Sequence, residues 1–260
     1  MTWDLVIRSF AVLGKDRKLI LFPLLSGILG LALAVLCFYS PLTGALRRGS
    51  PVTEYAVLFL CYCAFQTGMI FCNCALAACA QVRFAGGSPS LADGWRRAAG
   101  RIGPIVWWAL LSATVGLVLR AVLARVGFLG RIASRLLGFA WELATFLVVP
   151  VLVIEDLDVR ASIRRSAGLL RATWGEQLTV NLSLGWIFLL FAIPGIVLGV
   201  LGRTASLGPA PAVLYFLLLI AAITAVGGIF EVALYRYAVS GQPPDGYSAA
   251  MLRGAVKPRR

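Results

Sequence analysis

The chain has no histidine, three lysines and only 11 acidic residues among its 260. Without histidine it lacks the commonest general base and the commonest metal ligand. It also lacks a Gly-rich phosphate loop, a Walker-type lysine and a Gly-x-Ser-x-Gly elbow, the usual marks of nucleotide binding and of serine hydrolysis. Charged residues make up 13% of the chain, about half the share in an ordinary globular protein. Apolar side chains fill that room, at 60% of the residues and a mean hydropathy of +0.89. A single core cannot absorb so much apolar surface, so the excess faces lipid. Disorder, a collagen-like fibre, a small disulfide scaffold and a cytosolic enzyme are excluded together.

A membrane-spanning helix needs about 20 apolar residues, and the chain offers six such stretches. They cover about residues 19–42, 55–82, 102–126, 136–154, 178–202 and 210–237. No aspartate lies in any of them, so an intramembrane site built on paired aspartates is also excluded. The reading is therefore a non-catalytic, all-α integral membrane protein with one polytopic domain over residues 1–260 and no cofactor. The first apolar run is too long for a signal-peptide core and reads as a retained anchor.

Lysine and arginine stay on the cytoplasmic side of a membrane. The segments before span one, between spans two and three, between spans four and five, and after span six carry 17 of them, against 7 in the other three connections. Both termini are expected in the cytoplasm. Arginine outnumbers lysine 21 to 3, which suggests a GC-rich bacterial genome and the inner membrane. A net charge of +13 on a soluble chain points to nucleic acid. Here the basic residues sit between apolar runs, so the expected partner is anionic phospholipid and not nucleic acid.

Each odd-numbered span is preceded by a short amphipathic stretch. Trp3, Val6, Phe10 and Leu13 form the first apolar stripe. Ser88 and Pro89 read as the start of a second helix, whose Leu91, Trp95, Ala98 and Ile102 lie on one face, with Asp93, Arg97 and Arg101 on another. In the third, Val159, Ile163, Ala167, Leu170 and Trp174 are opposed by Arg160, Arg164 and Arg171. All three read as interfacial helices with arginines turned toward lipid phosphate. Arg97, Arg101, Arg160, Arg164 and Arg171 are the headgroup candidates. The order of interfacial helix, span, span then occurs three times, an internal repeat.

Polar groups within a bilayer are candidate functional residues. In span two, Cys63, Gln66, Thr67, Asn73, Cys74, Ala77 and Gln81 share one face, which reads either as the lining of a substrate path or as a tightly packed seam. The six cysteines include two Cys-x-Cys pairs, but residues two apart on a helix point about 200° apart and cannot chelate one ion. No metal is expected. Arg120 and Glu142 come out at matched depth on consecutive spans and are expected to pair, either as a gating site or as a structural lock. Glu231, near the inner end of span six, is expected to meet headgroup water or an inner arginine. Pro23, Pro150 and Pro194 are expected to break spans one, four and five.

Three stretches resemble a bacterial six-span family known only as a domain of unknown function. They are Lys15-Asp16-Arg17-Lys18 running into Phe22-Pro23-Leu24-Leu25-Ser26-Gly27, the run Val149-Pro150 to Glu155 followed by Arg164-Arg165-Ser166, and Ala233-Leu234-Tyr235-Arg236-Tyr237-Ala238. The second stretch is distantly similar to the membrane domain of some glycerophosphoryl diester phosphodiesterases and to Yip-type membrane proteins. The resemblance implies an all-helical membrane bundle and assigns no catalytic residue. Three roles stay open from the sequence: a membrane-organising or accessory protein with a protein partner or a second copy of itself, a small-molecule transporter or exporter, and immunity against a membrane-active toxin met by Arg125, Arg131 and Arg135.

Overall fold

The computed structural model describes residues 9–11, 13–14, 16–39, 51–174, 184–204, 208, 210–244, 247 and 252. Among them every element is helical. A 3-10 turn, Arg17–Ile20, leads into α1, Leu21–Tyr39; then follow α2, Pro51–Phe84; α3, Leu91–Ala99; and α4, Ile102–Arg125. The chain continues as α5, Phe128–Thr145; α6, Val148–Ile154; α7, Val159–Trp174; α8, Leu184–Thr204; and α9, Ala210–Ser240. Trp3 and Val6 of the first predicted interfacial helix lie outside the described residues, whereas Phe10 and Leu13 are helical.

Four helical stretches are long and apolar enough to cross a membrane: Tyr55–Phe84, Ile102–Arg125, Gly130–Ile154 and Ala210–Ser240. Lys18–Leu33 and Phe191–Leu201 are apolar and shorter. The apolar runs become helices because a bilayer leaves no other partner for backbone N–H and C=O groups.

The 34 residues of α2 and the 31 of α9 are longer than a bilayer requires. At 1.5 Å per residue they extend about 51 and 46 Å, against about 30 Å of hydrocarbon. Their surplus lies at the end where Phe84, Ile102, Ile154 and Ser240 gather. There Leu76, Ile105, Leu147, Leu152 and Ile229 are fully buried in one core, whereas Val52, Tyr55, Leu136 and Leu214 at the other end are exposed. The molecule is thus a bundle of helices with exposed apolar surfaces and a close-packed head at one end. α2 is its axis, packing on α1, α3, α4, α6 and α9.

Ser9 and Tyr247, far apart in sequence, both belong to the head. The Ser9 and Tyr247 hydroxyls lie 2.7 Å apart across 238 residues of sequence, and the Tyr247 ring packs edge-on against Phe84. Burial pushes the Tyr247 phenol up to about 12, outweighing the opposing effect of the Ser9 contact.

Three boundaries differ from the sequence reading. The N-cap of α3 is Ser90, whose hydroxyl accepts the Ala92 N–H at 3.2 Å, two residues beyond the expected Ser88. α4 and α5 are joined by only Val126 and Gly127, so Arg131 and Arg135 stand on a helix and not in a loop. Of the three prolines, only Pro194 lies inside a helix, whereas Pro23 and Pro150 occupy first turns. A first-turn proline lacks an N–H that had no intrahelical partner anyway.

Candidate functional site

The head is organised around the break between α5 and α6. The Pro150 ring is incompatible with a helical carbonyl four residues earlier, at Phe146, and the helix stops at Thr145 and resumes at Val148. The break frees the buried Leu147 N–H. α7 folds back along α6 and the end of α5, and the Ser166 hydroxyl accepts that N–H at 3.0 Å. Ser162 and Ser166, both wholly buried, are the small residues that let α7 approach so closely.

The C-terminal carbonyls of α6 are capped by side chains from the α3 region. Arg97 donates from Nε to Val153 O at 3.0 Å and from its terminal nitrogen to Ile154 O at 3.4 Å. Arg101 donates to Leu152 O at 3.3 Å and to Leu157 O. Asp156 ends the helix in a left-handed conformation, φ 56°, a backbone state that aspartate tolerates better than most residues. Its carboxylate holds both arginines, at 2.8 Å from Arg97 and 3.7 Å from Arg101. Three otherwise unbonded carbonyls of a helix end and one acid thus anchor α3 to α6.

A second cluster ties α7 to α9. Glu155 receives Arg165 Nε at 3.0 and 3.1 Å on its two oxygens and the Tyr235 hydroxyl at 3.0 Å. A fourth ion pair, Arg83 to Asp16 at 3.2 Å, fastens the end of α2 to the approach to α1. α3 approaches α2 closely at Gly94, where a Cβ would stand 2.6 Å from Cys79 Sγ and 2.8 Å from Ala75 O. Beside it a cleft of about 310 Å³ runs between α2, α3 and α6, bordered by Gln81, Val82, Asp93 and Arg97.

The predicted site residues scatter. Arg97 and Arg101, expected at lipid headgroups, bond the α6 carbonyls and Asp156, with the Arg97 side chain still half-exposed. Arg160, Arg164 and Arg171 lie on the exposed face of α7, opposite Ser162, Ser166 and Leu169, as the periodicity predicts. Gln66 and Asn73 are half-buried on α2, and the Gln81 side-chain oxygen is buried without a hydrogen bond. Cys63, Cys74 and Ala77 are buried, so this part of the polar face of α2 is a packed seam. Glu231 is half-buried on α9.

Arg120 and Glu142 form no ion pair and are both exposed. The cause is the two-residue turn. Arg120 stands five residues before the end of α4 and Glu142 fourteen after the start of α5. Their levels therefore differ by nine residues, about 13 Å of helix.

Glu155, Asp156, Arg165, Tyr235 and the two serines are the organising residues that the sequence reading did not assign to the site. One signal was available: Glu155, Asp156 and Asp158 are three of only 11 acids, placed directly after a proline-containing apolar run. All three stretches that carry the family resemblance contribute to the head, through Asp16 and Phe22, through Pro150 to Glu155 with Arg165 and Ser166, and through Tyr235.

The fold and the head define an all-helical protein with apolar helices suited to a membrane. The chain belongs to the family of unknown function DUF6159, whose profile matches residues 52–245. No curated protein and no solved structure matches it.

Proposed function

We propose that this is a non-catalytic, six-span protein of the bacterial cytoplasmic membrane that acts as a membrane-organising or accessory subunit through its basic head. In this reading α1 and α8 cross the membrane with the four longer stretches, and the interfacial helix, span, span order is a threefold repeat. The head and both termini face the cytoplasm, in keeping with the 17-to-7 excess of lysine and arginine on that side. A remote kinship with the membrane domain of glycerophosphoryl diester phosphodiesterases and with Yip-type proteins belongs to the same proposal.

The observation that carries the reading is the division of labour among the arginines. Arg83, Arg97, Arg101 and Arg165 hold the head together through Asp16, Asp156 and Glu155, whereas Arg160, Arg164 and Arg171 point outward from the framework so fixed. A rigid surface with free cations suits recognition of an acidic partner or of anionic lipid. A transport reading has lost its main support, since Arg120 and Glu142 do not meet.

The test is affinity purification of the C-terminally tagged full chain from crosslinked membranes at native expression level, read by mass spectrometry. A stoichiometric protein partner is expected, with lower recovery from an Arg160→Glu, Arg164→Glu, Arg171→Glu variant. Recovery of the chain alone, or only with copies of itself, overturns the accessory role.

A further inference from the structure

We propose that Arg160 and Arg164 together hold the phosphate of an anionic phospholipid on the outer face of α7. This deepens the reading above, on which it rests in taking that face as the working surface. The two side chains stand one helical turn apart, a spacing that brings their Cβ atoms within about 5–6 Å. Both are exposed, and neither has a hydrogen bond or an ion pair among the described residues. They border an open groove of about 550 Å³, completed by Asp158, Ala161, Arg165 and Gly168.

The other charges of the groove are already engaged. Arg165 is held on both Glu155 oxygens, and an Asp158 oxygen accepts the Ala161 N–H at 2.9 Å as part of the first turn of α7. The two free guanidinium groups therefore face the groove with no competing carboxylate bound to them. Guanidinium donors suit phosphate oxygens because two N–H groups can bond in parallel.

The position along the bundle favours a lipid over a soluble phosphate. The contact between Ser166 and Leu147 sets the register of α7 against α6 and α5, two antiparallel neighbours. α7 packs along α6 and α5, and α5 carries the exposed Leu136, Leu137 and Phe139. A lipid held at the arginines has this apolar surface on the neighbouring helix for its acyl chain.

The test uses the detergent-purified full chain, titrated with phosphatidylglycerol or with phosphatidylcholine of the same acyl chains, with bound lipid counted by native mass spectrometry. Phosphatidylglycerol is expected to bind preferentially, and Arg160→Gln with Arg164→Gln to weaken it about thirtyfold, the joint effect of two interfacial cations. Arg120→Gln is expected to leave it unchanged. The Lys pair at 160 and 164 retains charge without the bidentate geometry and is expected to fall between; it also decides the matter should the Gln pair fail to fold. Undiminished phosphatidylglycerol binding in the Gln pair overturns the site. Displacement of the lipid by inorganic phosphate or glycerol phosphate at comparable concentration overturns the lipid as its occupant.

The accessory reading fails separately: recovery of the chain without a protein partner from crosslinked membranes overturns that reading, and leaves the site standing if phosphatidylglycerol binding is present and falls in the Gln pair.

Discussion

Ser162 and Ser166 stand one turn apart on α7, both wholly buried, and differ in a single respect. The Ser166 hydroxyl accepts the Leu147 N–H at 3.0 Å, whereas the Ser162 hydroxyl has no partner. Ser166→Ala removes an oxygen, creates almost no cavity and strands a buried backbone donor. A stranded donor of this kind costs about 1–3 kcal/mol. Ser162→Ala removes a hydroxyl that was buried without compensation and gains the helix propensity of alanine, so it is expected to be neutral or to stabilise by up to about 1 kcal/mol. The assay is thermal unfolding in detergent followed with a thiol-reactive fluorophore, for which the buried Cys63, Cys72, Cys74 and Cys79 are built-in reporters. At about 2–4 °C per kcal/mol for chains near this size, Ser166→Ala lowers the midpoint by several degrees while Ser162→Ala leaves it level or raises it. Equal shifts for the two variants would refute the idea that Ser166 repairs the break at Leu147.

Three further outcomes follow from the head. Arg101→Met, which uncaps α6 at a mostly buried position, is expected to cost about 2–4 kcal/mol, and Arg97→Met, whose side chain is 46% exposed, about half as much, measured in the same unfolding assay. Gly94→Ala drives a Cβ against Cys79 and the Ala75 carbonyl and is expected to cost about 1–3 kcal/mol, with faster labelling of Cys79 as α3 lifts from α2. Glu142→Gln alone and with Arg120→Gln is expected to change stability by less than about 0.5 kcal/mol, with no coupling between the two sites in a double-mutant cycle; measurable coupling would return them to contact.

How much of the fold was legible follows from which physical rule each element obeys. The apolar runs had to become helices because lipid offers the backbone no alternative, and α2, α4 and α9 lie where the runs predict. The boundary between α4 and α5 was misjudged because Arg131 and Arg135 read as a polar connection. A helix tolerates them, since alternate turns of α5 present apolar and charged faces. That one misreading moved Glu142 by nine residues relative to Arg120 and produced an ion pair that does not exist. Helical periodicity gives the direction of a side chain about its own axis and says nothing about the height of its neighbour.

The same distinction separates the site residues that were legible from those that were not. Arg160, Arg164 and Arg171 could be placed from spacing alone, because an outward side chain needs no partner from elsewhere in the chain. Arg97 and Arg101 have the same spacing and the same chemistry, yet they turn inward, because α6 ends beside them with three unbonded carbonyls and Asp156. A free helix end offers guanidinium donors ready partners, since its carbonyls otherwise lack an intrahelical one. That end is set by Asp156, whose left-handed backbone stops α6 and whose carboxylate meets both arginines. The role of Arg97 and Arg101 is thus a consequence of an acid more than fifty residues away. Acids are scarce in this chain, and those at the elbow, Glu155 and Asp156, are consumed by Arg165, Arg97 and Arg101. The arginines left over on α7 meet no acidic side chain among the described residues.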